Sequence, residues 1–183
     1  MNSLNQIIEK FPEITNVESV KPLTAGLINQ TYLVTTKEGT PNFILQCINH
    51  NIFKNVDLLQ NNIECVTNHI RKKLEAAGEK DLDRKVLRFA VTEDGKTYYF
   101  DGEKYWRACV FVEGSLTLDA VTPESSYLVG LKFGEFEAML SDLPCQLEET
   151  IPDFHNMEFR MKQLHDAVEA DAAGRMDKVR DIV

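Results

Sequence analysis

Long apolar runs are missing from this 183-residue chain. No stretch reaches the roughly 18 apolar residues that a membrane-spanning helix needs. The first residues, MNSLNQIIEKFPE, lack the basic-then-apolar order of a secretory leader. Basic runs are short: the longest is Arg71-Lys72-Lys73, at the end of a predicted helix where cations suit the dipole, and the formal net charge is -9. A nucleic-acid binder needs a basic face, so neither nucleic acid nor membrane is an expected partner. Metal-ligand spacing is missing as well. Cys47, Cys65, Cys109 and Cys145 are scattered with no C-x-x-C pair, and His50, His69, His155 and His165 show no ligand pattern. The expectation is reduced, mostly core cysteines in a cytoplasmic protein without a structural metal. No Gly-x-Ser-x-Gly elbow or Cys/His pairing points to a hydrolase. What remains is ordinary globular composition, 43% hydrophobic and 27% charged, in a length that suits one domain or a small domain plus part of another.

The order of elements follows from periodicity and stop signals. Ser3 caps a short helix carrying Leu4, Ile7 and Ile8, and Pro12 ends it. Val17–Leu23 and Ile28–Thr36 read as strands around the turn Thr24-Ala25-Gly26, and Phe43–Ile48 as a nearly all-apolar central strand. Asn55 caps a long helix with Val56, Leu59, Ile63, Val66, Ile70 and Leu74 on one stripe, and Gly78 follows its end. Three strand-like runs come next: Val86–Val91, Thr97–Phe100 and Tyr105–Val112. Asp-Gly turns at Asp94-Gly95 and Asp101-Gly102 join them. After Gly114 the pattern is helical. Thr122-Pro123 opens one helix, Asn156–Asp171 forms a second, and a third starts near Gly174 and runs to the chain end. The predicted class is α+β: a mostly antiparallel sheet with one long helix, then helices alone. The predicted division is 1–114 and 115–183.

Two strands around a glycine turn, a third strand and a long helix form the layout of a kinase-like amino-terminal lobe, whose turn covers ATP phosphates. Glycine there lets backbone approach a phosphate closely. The residues themselves carry a resemblance. Gly26-Leu-Ile-Asn-Gln-Thr-Tyr-Leu-Val-Thr-Thr36 resembles the phosphate-covering turn of N-acetylhexosamine 1-kinases, within the aminoglycoside phosphotransferase/choline kinase-like superfamily. Phe43–Phe53, Asn61–Thr67, Trp106-Arg107, Phe111–Glu113, Glu148–Ile151 and Asp153–His155 are similar to further segments of that family, in order along nearly the whole chain.

The resemblance implies ATP-dependent phosphorylation of the anomeric hydroxyl of N-acetylglucosamine or N-acetylgalactosamine, with Mg²⁺ in the complete protein. Gly26, Asn29 and Thr31 would sit over the phosphates. Gln46 occupies the strand position where most kinases place a phosphate-pairing lysine, and the related kinases are Gln-like there too. Glu64, or its neighbour Asn62, would hold Gln46 from the long helix. Val110–Gly114 would be the adenine hinge, with Val112 and Glu113 as its contacts. Relatives often carry His where Leu27 stands.

Such a kinase also needs a catalytic-loop Asp with an Asn several residues on, then a second metal-binding Asp. No asparagine follows Asn156, so that loop has no downstream candidate. His165-Asp166 lies within a predicted helix, and Asp153-Phe154-His155 precedes any such loop. The expectation is therefore an ATP-binding lobe plus the first helices of a truncated helical lobe. Its expected partners are nucleotide and amino-sugar substrate, with weak nucleotide binding and no phosphoryl transfer by this chain alone, and it could self-associate through exposed helices. Two alternatives stay open: a stand-alone, non-catalytic binding module, and a kinase of another small alcohol such as an aminoglycoside or choline.

Overall fold

The computed structural model describes residues 3–118 and 120–182. The chain forms two compact units, Met1–Thr150 and Ile151–Val183.

The first unit begins with helix α1, Leu4–Ile8. Its N-terminus carries the reciprocal cap that Ser3 and Gln6 allow: Ser3 Oγ accepts from the Gln6 backbone N–H while Gln6 Oε1 accepts from the Ser3 N–H. Strands β1 (Val17–Leu23), β2 (Gln30–Thr36), β3 (Phe43–Ile48), β4 (Tyr99–Phe100) and β5 (Tyr105–Val110) form one sheet in the order β1-β2-β3-β5-β4. Every pairing is antiparallel. The apolar β3 is the middle strand, as its composition predicts. Pro22 lies in β1, an edge strand, where a missing N–H costs no ladder bond.

The sheet's two faces differ in kind. Phe43, Leu45 and Cys47 of β3 and Trp106, Ala108 and Val110 of β5 alternate onto one face, where they pack with Ile7, Ile8 and Phe11 in a single apolar cluster. Phe11, Phe43 and Leu45 are wholly buried, each contributing roughly 1.5–3 kcal/mol of transfer free energy. The residues between them, Ile44 and Gln46 on β3 and Arg107 and Cys109 on β5, are half-buried on the opposite face. Helix α2, Val56–Ala76, serves that face. Asn55 Oδ1 accepts from the Leu58 N–H at its start, and Gly78 takes φ 72° just beyond its end. Its first half packs Val56 and Leu59 near Ile48 and Tyr98. Its second half packs Ile70 and Leu74 with Val86, against which Met139 and Leu140 of helix α3, Pro123–Leu140, also lie.

Two expectations change here. The sequence predicts a strand over Val86–Val91, yet the segment forms only an isolated bridge, Phe89 opposite Cys109, with hydrogen bonds from Ala90 N–H to Ala108 O and from Val110 N–H to Arg88 O. Charge anchors the segment elsewhere. The Arg88 guanidinium is ion-paired to Glu13 and Asp83, and Asp83 also pairs with Arg71 of α2. The second change concerns the cysteines. Cys65 of α2 and Cys145, after α3, are joined in a disulfide with a Cα–Cα distance of 6.7 Å, across 80 positions of sequence. Cys47 and Cys109 are free thiols, buried and half-buried.

In the second unit, α4 (Met157–Ala170) starts at Asn156, whose side chain accepts from the Phe159 N–H, and ends at Asp171 in a left-handed conformation. The short α5 spans Met176–Val179 and stops before the chain end, where the predicted third helix was expected to continue. Asp166, within α4, is paired with Lys162 one turn earlier. Among the described residues no helix is long and apolar enough to cross a membrane.

Candidate nucleotide site

Register fixes the centre of the site. Thr31 of β2 is opposite Gln46 of β3, and Gln46 is opposite Arg107 of β5. Three neighbouring strands thus set three polar side chains in one row. Gln46 Nε2 donates to Thr31 Oγ1 at 3.3 Å, and Arg107 Nε donates to Gln46 Oε1 at 3.0 Å. The row continues onto α2: Arg107 Nη1 donates to Gln60 Oε1 at 2.9 Å, and Gln60 Nε2 donates to Thr97 Oγ1 at 2.9 Å. Thr97 Oγ1 in turn donates to Glu64 Oε1. Gln60 is completely buried, so its amide is spent on both sides within this network.

Each expected site residue has a definite place. Asn29 Oδ1 accepts the Asn49 N–H at 3.0 Å, which pins the end of the glycine turn to the residue just after β3. Gly26 lies against the same residues: an added Cβ would make ordinary van der Waals contacts, 3.6 Å from Asn29 O and 3.9 Å from Thr31 Oγ1. A cavity of about 240 Å³ opens beside the Asn29–Asn49 link, lined by Ile28, Gln30, Ile48, His50 and Lys104 among others.

The helix partner differs from expectation. Neither Glu64 nor Asn62 bonds Gln46. Glu64 is held by Thr97, and Asn62 pairs with the Glu148 backbone, donating to its carbonyl at 2.7 Å. Gln60 is the α2 residue that reaches the row, and it does so through Arg107. Gln60 falls on the buried stripe of α2, one turn after Val56. A polar side chain in an apolar stripe is the signal that marks it in the sequence. Arg107 carries a similar signal, as the one charged residue in the run Tyr105–Val110.

β5 leads from Arg107 directly into the expected hinge. There the Phe111 N–H donates to Asn42 O, Asn42 Nδ2 donates to Glu113 Oε1 at 2.6 Å, and Arg84 Nη1 donates to the Glu113 carbonyl. Glu113 is therefore braced on both its side chain and its backbone. Val112 is half-buried beside it.

The electrostatics of the row are unusual. Burial lowers the pKa of the Arg107 guanidinium, with Cys109 pulling the other way. Burial pushes the Cys109 thiol up, so it stays neutral. Among the described residues no ion pair involves Arg107. Nor does any group of three or more His, Cys, Asp or Glu side chains gather as a metal site among them.

No protein-family model matches the chain.

Proposed function

We propose that this chain is the ATP-binding portion of a small-molecule kinase whose substrate is the anomeric hydroxyl of N-acetylglucosamine or N-acetylgalactosamine. The observation that carries the reading is the convergence of the β1–β2 glycine turn with Gln46. Asn29 ties the turn to the end of β3, Thr31 is hydrogen-bonded to Gln46, and Gly26 lies within van der Waals reach of Asn29 and Thr31. A turn of this kind can present backbone N–H groups to phosphate oxygens. Gly26, Asn29 and Thr31 would then face the phosphates, Gln46 would donate or accept beside them, and Val112 and Glu113 would flank adenine once Arg84 yields the Glu113 carbonyl. ATP supplies the phosphoryl group when bound; Mg²⁺ would be held by residues outside this set.

The sugar preference rests on the sequence resemblance, and aminoglycoside or choline kinases share the same layout. A cytoplasmic location belongs to the same reading. The Cys65–Cys145 bridge weighs against that part, because stable disulfides are rare in a reducing compartment.

The exposed apolar face of α3 favours this reading over a self-contained binding module, since a module should cover its own apolar stripes. Leu128, Val129 and Phe133 are each more than half exposed. Titration calorimetry with ATP and Mg²⁺ on the 183-residue chain tests the proposal. Weak but saturable ATP binding, with no sugar 1-phosphate formed from either N-acetylhexosamine, is the expected result. Absence of any nucleotide binding would sink the kinase reading, and measurable phosphoryl transfer would sink its incompleteness.

A further inference from the structure

Arg107 is a cation in the wrong kind of company. Its Nε and Nη1 donate to two neutral amide oxygens, Gln46 Oε1 and Gln60 Oε1, and its guanidinium lies 5.5 Å from the Phe89 ring. Its direct hydrogen-bond partners, Gln46 from β3 and Gln60 from α2, are both neutral, and the carboxylate of the row, Glu64, is reached only through Gln60 and Thr97. Removing a guanidinium from water without an opposing charge is costly. A bound anion would offset that cost. Arg107 is also half-buried rather than sealed, as are Thr31 and Gln46, so the row can be reached from outside.

From this geometry we infer that Arg107 is the binding cation of a phosphoryl subsite on the α2-facing side of the sheet, with Gln46 and Gln60 positioning its guanidinium. It supplies from β5 the charge that the neutral Gln46 on β3 cannot. The inference deepens the nucleotide-binding reading and rests on it for the source of the phosphoryl group, a nucleotide rather than free phosphate. A planar guanidinium with two donors fixed by amides still presents its remaining N–H groups in a fan that suits phosphate oxygens. Gln46 and Gln60 touch no ligand in this scheme. They set the plane of that fan.

The test uses the full chain with Arg107→Met, which keeps length and removes charge, and Arg107→Lys, which keeps charge and loses the fork. Inorganic phosphate, compared with chloride at matched ionic strength, should raise the melting temperature of the wild type and leave that of Arg107→Met unmoved, with Arg107→Lys between them. ATP should bind the wild type about tenfold or more tighter than adenosine, the size expected for one or two charge-assisted hydrogen bonds. In Arg107→Met that ratio should collapse while adenosine affinity holds.

If ATP and phosphate act on Arg107→Met as on the wild type, the inference is overturned while the nucleotide reading survives. If phosphate acts through Arg107 but ATP binds no more tightly than phosphate, the anion subsite stands and the nucleotide reading fails. Should Arg107→Met not fold, the Arg107 Nε–H resonance of the wild type decides the matter: a shift on adding phosphate supports the subsite, and an unmoved resonance overturns it.

Discussion

Gln46 and Arg107 stand directly opposite one another across β3 and β5, joined by a 3.0 Å hydrogen bond from the guanidinium Nε to the amide Oε1. Both ends of Gln46 are therefore committed, its oxygen to Arg107 and its nitrogen to Thr31. A lysine at this position would set a second cation against Arg107 and remove the acceptor. Gln46→Lys is expected to lower stability by about 1–3 kcal/mol, the cost of leaving a charged donor unsatisfied, and urea unfolding measures it. An unchanged midpoint would show that Arg107 can swing free of the row.

Gln60 holds the other side of the same guanidinium from within α2. It is completely buried, accepting from Arg107 and donating to Thr97. Gln60→Leu keeps the volume and strands both partners, so a loss of about 1–3 kcal/mol is expected. Because Gln46 and Gln60 share Arg107, the Gln46→Ala/Gln60→Leu pair should be non-additive. Additive losses would mean that the two amides act separately.

Most of the first unit's scaffold is legible in the sequence. Ser3, Asn55 and Thr122 signal their helix starts because short polar caps satisfy orphan N–H groups locally. β1 spans Val17–Leu23 as predicted and β3 matches its apolar run, while β2 begins at Gln30, two residues later than its pattern suggests. What the sequence hides is long-range. Val86–Val91 has the composition of a strand, but Arg88 is drawn to Glu13 and Asp83, and only one bridge forms. The Cys65–Cys145 bridge leaves no mark in local spacing. Among the site residues, the row Thr31–Gln46 emerges from strand register, whereas Gln60 and Glu64, one turn apart, lie on nearly the same face of α2, so periodicity alone does not choose between them.

Asp83 links three parts of the first unit through Arg71 and Arg88. Burial alone would push its carboxyl up, but hydrogen bonds from Arg71 and Arg88 outweigh this and hold it below the usual carboxylate value. A depressed folded pKa gives stability that is present above the unfolded value, near 3.9, and lost as pH falls through the folded one. Asp83→Asn should therefore cost about 1 kcal/mol at neutral pH, a figure already reduced for solvent screening of a partly exposed group. It should also flatten the acid limb of the stability profile below about pH 4. Thermal melts across pH 2–7, expected in this form from the linkage, check it; a variant with an acid limb as steep as the wild type's would remove Asp83 from this role.

The Cys65–Cys145 disulfide ties the middle of α2 to the segment after α3. Asn62, one turn before Cys65, reinforces that junction by donating to the Glu148 carbonyl. Cross-linking residues so far apart in sequence restricts the unfolded chain, and typical losses on removing such a bond are about 2–5 kcal/mol. Cys65→Ser and Cys145→Ser should each lower the oxidised protein's stability by that amount, equally, and should match the wild type once dithiothreitol is added. Unequal losses would mean that one serine disturbs packing independently of the bond.

The face of α3 supplies the last prediction. The helix is well capped, with Thr122 Oγ1 accepting from the Ser125 N–H and Pro123 in the first turn, yet it has no buried residue. Leu128, Val129, Phe133 and Phe136 line an open apolar groove of about 520 Å³ with Leu118. A side chain that is exposed contributes little to folding, so Phe133→Ser should shift stability by no more than about 0.5 kcal/mol. The same change should reduce binding of an apolar dye, and any concentration-dependent association seen by sedimentation should weaken with it, because Phe133 is one of the exposed apolar side chains that line the groove. The paired readouts separate two structures of the chain in solution. Loss of stability with unchanged dye binding would mean that Phe133 is packed inward and the groove closed. Preserved stability with weaker dye binding and association places the groove on the surface, where the kinase-lobe reading expects further protein to cover it.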